Sequence, residues 1–148
     1  AKAVIHVEST RRDTDVFVKI SEQFAPDATA MPGQQPRAVI VTKGCLRASH
    51  ALHADARDAA LSTADAPYYR HETEHFSKPG TVMRLEIPLR SMAYQFRKGS
   101  RIRVEIANTD TPVTEVVWAH VYSPQKMGSD TIYLREPHAS YVDIPFVD

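Results

Sequence analysis

The sequence holds one cysteine, five glycines, no long apolar run and no excess of charge of either sign. The single thiol, Cys45, excludes an internal disulfide framework. It lies among apolar neighbours in TKGCLRAS with no visible base, and is expected to be buried and inert. Five glycines make no phosphate-cradling loop, and no G-x-S-x-G stretch is present to build a nucleophile elbow. Ser100 in KGSR and Ser129 in MGSD follow glycine, but both sit in turn-like stretches. No apolar run is long enough for a membrane span, and the start carries no signal-peptide pattern. The 18 Lys plus Arg balance the 18 Asp plus Glu, so the formal net charge is zero. That balance argues against a nucleic-acid-binding domain, which carries a basic excess.

What is present is an ordinary globular chain. Its 148 residues are 43% hydrophobic and 24% charged, the size and balance of one domain. A chain of this length buries roughly 70% of its unfolded surface and needs no staple to fold. It opens directly in a strand-like stretch with no initiator Met, which suggests a piece of a longer protein.

Period-two alternation is the dominant pattern, as expected for strands with one buried face. In KAVIHVE, Ala3, Ile5 and Val7 share a face. In DTDVFVKI, Val16, Val18 and Ile20 point one way, with Phe17 and Lys19 opposite. Met83, Leu85 and Ile87 alternate with Arg84 and Glu86. In RIRVEI, Ile102, Val104 and Ile106 are predicted inward. EVVWAHVY, TIYL and YVDI follow, while RAVIVT and CLRAS are read as two strands meeting at a Lys43-Gly44 turn. The total is about nine short strands separated by turn chemistry such as SKPG, RKGS and NTDTP. Almost no helical periodicity accompanies them, so the predicted class is all-β, an antiparallel sandwich or barrel. One connection does not alternate. It runs from about His50 to Gly80, with DARDAALS able to form a helical turn or two. Connections this long often belong to a binding surface or a subunit contact.

Within that connection, His71-Glu72-Thr73-Glu74-His75 spells H-E-x-x-H, which on a helix binds zinc and marks a metallopeptidase. A zincin helix places both His on one face, with a third ligand from elsewhere. Here Pro67 and Pro79 bracket the stretch, and little apolar surface would dock such a helix. His120 and His138 are the conceivable third ligands, but read more simply as a strand and a loop residue. No metal site is therefore predicted, beyond adventitious binding at His71 and His75. Asp13 and Asp15 open a strand, where turn hydrogen bonding is the simpler expectation than calcium binding. Trp118 alternates with His120 and is read as packing rather than as a ligand platform.

Several stretches in order resemble one family. They are DTDVFVKI, VIVTKGCLRASH, KPGTVMRLEIPLRSMAYQFRKGSRIRVEIANTDTP and SDTIYLREPHASYVDIPF. Together they resemble the C-terminal domain of serine hydrolases of the X-Pro dipeptidyl-peptidase and cocaine-esterase type. The resemblance implies a jelly-roll β-sandwich of the galactose-binding-like class, spanning 1–148 as a single domain. It implies an upstream α/β-hydrolase domain carrying the Ser-His-Asp triad, so no catalytic residue, metal or cofactor falls on this chain. The expected role is a non-catalytic accessory domain that packs on the catalytic domain and helps shape its substrate pocket. Candidate contact or pocket-edge residues are Tyr68, Tyr69, Asn108, Asp110 and Trp118. The alternative is a carbohydrate- or other ligand-binding module, with Tyr68, Tyr69 and Trp118 as stacking surfaces. Neither nucleic acid nor membrane is an expected partner, and self-association is left open. The residues do not fix a compartment, with cytoplasm slightly favoured.

Overall fold

The computed structural model describes residues 1–26, 34, 36–110 and 124–146. Seven strands are found among them: β1 (Lys2–Ser9), β2 (Asp15–Gln23), β3 (Ala38–Arg47), β4 (Val82–Pro88), β5 (Arg101–Ala107), β6 (Asp130–Ile132) and β7 (Tyr141–Asp143). Two single 3-10 turns, Ala48–His50 and Pro124–Lys126, are the only helical pieces among the described residues.

The strands form two antiparallel sheets. In the first, β1 pairs with β4 from Lys2 to Glu8. Its other edge is shared: β6 covers Val7 to Ser9, and β7 covers Lys2 to Val4. In the second sheet β2 lies between β3 and β5. The inward side chains of both sheets make one core. Ala3, Ile5 and Val7 from β1 and Met83, Leu85 and Ile87 from β4 meet Val16, Val18 and Ile20 from β2 and Leu46 from β3. All are nearly or fully buried. The chain is thus an all-β sandwich, with the core faces of β1, β2 and β4 as their alternation predicts.

Four expectations are corrected or refined by the structure. Gly44 is not a turn residue, because β3 runs unbroken through it. A glycine is needed there for close approach. A Cβ on Gly44 would lie 2.1 Å from the carbonyl oxygen of Pro88. Past Pro88 the chain crosses between the sheets, where the Arg90 amide donates to Lys43 O and the Thr42 hydroxyl donates to Arg90 O.

The alternation of β5 is real but only partly covered. Val104 and Ile106 sit opposite Ile20 and Val18, hence on the core face. Ile106 packs against the core, whereas Ile102 and Val104 are each 44% exposed. Alternation reports which face a side chain takes, not whether anything lies over it. β5 is the outer strand of its sheet among the described residues.

DARDAALS makes one turn and no helix. The Asp58 carboxylate accepts the amides of Ala60 and Leu61 in an N-cap pattern, and the Ser62 amide closes the single turn on Asp58 O. Finally, the outer face of β2 is not solvated: Phe17 and Lys19 are both buried. The expected strand EVVWAHVY lies outside the described residues.

Candidate functional site

The connection after β3 is tied to the end of the sandwich where β1 stops and β2 starts. Asp13, just before β2, accepts the amide and the hydroxyl of Ser49. Asp15 accepts from Arg47 Nε at 2.8 Å and from Lys126 Nζ at 3.0 Å. Burial alone would raise the Asp15 carboxyl; the Arg47 and Lys126 hydrogen bonds outweigh it and hold the group below the ordinary carboxylate range. These two acids are neutralised by protein cations, so they are strand-start anchors, and the calcium reading of the pair is not needed.

The H-E-x-x-H stretch is irregular rather than helical, and His71 has a left-handed φ of 54°. Its two histidines therefore do not face one another. His71 Nδ1 lies 2.9 Å from His50 Nδ1, and His75 stacks on His53. His138 packs instead against His6 and Tyr133, and His120 lies outside the described residues. Among the described residues no three His, Cys, Asp or Glu side chains converge on a point that could hold a metal. A zincin places both histidines on one helical face, and residues 71–75 form no helix.

The residues expected at a contact or pocket edge fall in different places. Tyr68 is 52% exposed. Tyr69 next to it turns inward against the core, and its hydroxyl donates to Glu86 O at 2.9 Å. Tyr68 therefore offers the exposed ring that stacking on a sugar would use, and Tyr69 does not. Asn108 is exposed on the turn after β5. Asp110 is buried, 2.7 Å from Lys19 Nζ and 3.0 Å from Lys43 Nζ. Lys19 and Lys43 are cross-strand neighbours on β2 and β3, so one carboxylate bridges two buried ammonium groups. Trp118 lies outside the described residues. The structure does not bring Tyr68, Asn108 and Asp110 into one site.

Cys45 is half-buried on β3. Burial first, then the charges of Asp15 and Asp110, push its thiol above the usual range, so it is a poor nucleophile.

A further concavity lies at the other end of β1, around Ala1. It is a cleft of about 180 Å³ between the sheets, lined by Leu89, Met92, Tyr94, Phe96, Ile144 and Phe146. Met92 is 52% and Phe146 72% exposed. Tyr94 and Phe96 meet edge to face at 5.1 Å. The sequence signal for it was Met92, Tyr94 and Phe96 alternating just after β4. The structure forms no strand there. The Tyr94 hydroxyl and Arg97 amide both bond buried Glu22, which fixes this segment on β2. The cleft is mostly apolar, with Thr42, Arg90 and Ser91 as its polar lining.

No curated protein and no solved structure matches the chain. One family model does, that of the X-Pro dipeptidyl-peptidase C-terminal non-catalytic domain, over residues 1–143. The chain belongs to that family of non-catalytic C-terminal domains.

Proposed function

We propose that this domain is a docking module of a longer serine hydrolase acting on X-Pro peptides or acyl esters. On a galactose-binding-like jelly-roll scaffold, it packs against an upstream α/β-hydrolase domain and walls part of its substrate pocket. The observation that carries this reading is the cleft around Met92, Tyr94, Phe96 and Phe146. A self-sufficient monomer scatters its exposed apolar side chains singly, whereas a cluster of large ones in one cleft marks a surface that something covers. Ala1 borders that cleft. A domain preceding it in the same polypeptide would therefore reach the chain beside the apolar surface, at high effective concentration.

The bond-breaking chemistry belongs to the upstream domain: Ser attack, His as general base, and an oxyanion hole for the tetrahedral intermediate. What a non-catalytic wall contributes is binding energy and exclusion of water, which act on substrate affinity first. In the intact polypeptide, Met92→Asp with Phe146→Asp is expected to raise KM for an X-Pro substrate about tenfold, equal to roughly 1.4 kcal/mol. kcat should change far less. Both side chains are exposed here, so the sandwich itself should remain folded. Wild-type KM in the double variant, with no added protease sensitivity between the domains, would refute the assignment.

A further inference from the structure

Two histidine pairs fasten the irregular segment 71–78 to the turn that follows β3. His50 Nδ1 meets His71 Nδ1 at 2.9 Å. The rings of His53 and His75 stack with centroids 4.3 Å apart and planes 27° apart. Both pairs join the same two stretches of chain. They are supplemented by the His75 amide donating to Ser49 O at 2.8 Å, the Ser77 amide donating to Arg12 O, and Thr73 Oγ1 lying 3.1 Å from His53 Nε2. We propose that the two pairs are an acid-released clasp: when both rings of a pair carry protons, 71–78 leaves 48–55 while the sandwich stays folded. This rests on the local geometry and not on the docking role of the apolar cleft.

The chemistry of the first pair sets the direction. A nitrogen-to-nitrogen hydrogen bond between imidazoles needs one ring nitrogen protonated and the other bare. A proton on His50 is compatible with the contact. Its Nδ1–H then donates to His71, and its Nε2 lies 3.5 Å from the Glu74 carboxylate. A second proton, on His71, removes the acceptor and sets two N–H groups and two positive charges against each other. Burial, and then the His50 charge, hold His71 below the ordinary imidazole range. The second pair follows the same logic, since two stacked imidazolium rings repel at 4.3 Å.

The surrounding charges sharpen the step. Glu74 faces His50 and also Arg47, at 3.8 Å. The Tyr69 ring lies 6.2 Å from His71. His53 and His75 share a surface hollow with Asp55, Arg70 and Glu72. The charged groups around the two pairs are thus the carboxylates of Glu74, Asp55 and Glu72 and the guanidinium groups of Arg47 and Arg70. Histidine tolerates the left-handed φ of His71 better than most residues, yet at some cost. That cost is released once the clasp opens. A group whose folded pKa is depressed stabilises the docked state fully above the unperturbed imidazole value, near 6.5, and that contribution is lost as pH falls through its lower folded value. Release therefore belongs on the acid side of about 6.5.

The His75 amide, bonded to Ser49 O, is the reporter. Amide hydrogen exchange would be followed by NMR at pH 7.5 and 5.5. Rates would be expressed as protection factors, which removes the intrinsic pH dependence of exchange. The His75 amide should lose protection about tenfold or more, the effect of one pKa unit, while Ile5 and Val18 in the central strands keep theirs. In His71→Asn combined with His53→Gln, neither replaced side chain titrates and Asn accepts a positive φ. His75 protection should then be the same at both pH values. Side-chain NMR of the wild type adds a check independent of the variant: His71 should titrate at the pH where His75 protection falls. Unchanged protection in the wild type would overturn the clasp. So would loss in step with Ile5 and Val18, or a His71 midpoint unrelated to the loss.

Discussion

Asp110→Ala is expected to destabilise the domain by about 3–5 kcal/mol, the cost of removing one partner of a buried ion pair. Asp110 is almost completely buried and bridges Lys19 and Lys43, whose side chains are only 8% and 5% exposed. Deleting the carboxylate leaves two ammonium groups side by side on adjacent strands with their shared anion gone. Each then loses a charge-assisted contact of 2.7 or 3.0 Å inside the sheet. For a domain of this size the loss lowers Tm by about 2–4 °C per kcal/mol, so a drop near 10 °C is expected. In urea the midpoint should fall with the slope unchanged, the mark of lost stability rather than a changed denatured state. A second variant separates charge from packing. Asp110→Asn keeps the shape and removes the charge, so a loss equal to that of Asp110→Ala assigns the effect to the charge. A single Asp110→Ala variant with wild-type stability would show that the bridge contributes nothing.

Gly44→Ala is the second large effect, with an expected cost of about 3 kcal/mol, the upper end of the range for overpacking. The added Cβ would stand 2.1 Å from Pro88 O and 3.0 Å from Pro88 C. Both are backbone atoms, so no rotamer change relieves the clash. Either β3 moves away from the crossing at Pro88 to Arg90, or that crossing gives up its bonds to Thr42 and Lys43. Gly99→Ala is the control. No heavy atom lies within 4 Å of a Cβ there, but φ is +86°. Only the left-handed conformation is penalised, at about 1–2 kcal/mol. Thermal unfolding of the two variants side by side decides the point. Equal destabilisation would mean that the approach at Gly44 is not tight.

These two positions also show where sequence reasoning reached and where it stopped. Gly44 reads as a turn because glycine after lysine between two apolar runs is turn chemistry. The reason for it is Pro88, a neighbour across the sandwich that no local pattern contains. Asp110 stood out in the sequence as a loop residue, but the two lysines it bridges lie 67 or more residues away, and Lys19 by alternation should have faced water. The core was legible where both sheets cover it, as at Ile5, Val18 and Leu85, because burial on one face writes a period of two. Ile102 and Val104 carry the same period without the cover. The H-E-x-x-H letters were visible too, and the flanking prolines argued correctly against a helix. What could not be read was that each histidine pairs with one from the preceding turn, since side-chain pairing across an irregular loop leaves no periodic trace. The apolar cleft had a signal in Met92, Tyr94 and Phe96, easily absorbed into the preceding strand.

The docking role is tested most directly by amide hydrogen exchange on this domain alone and within the longer polypeptide proposed above. Protection gained at 89–96 and 144–146, with the strand amides of β1 and β2 unchanged, is the expected result. Identical exchange at those residues in the two contexts would contradict it, because the apolar cleft would then be as open to water in the whole protein as in the isolated domain.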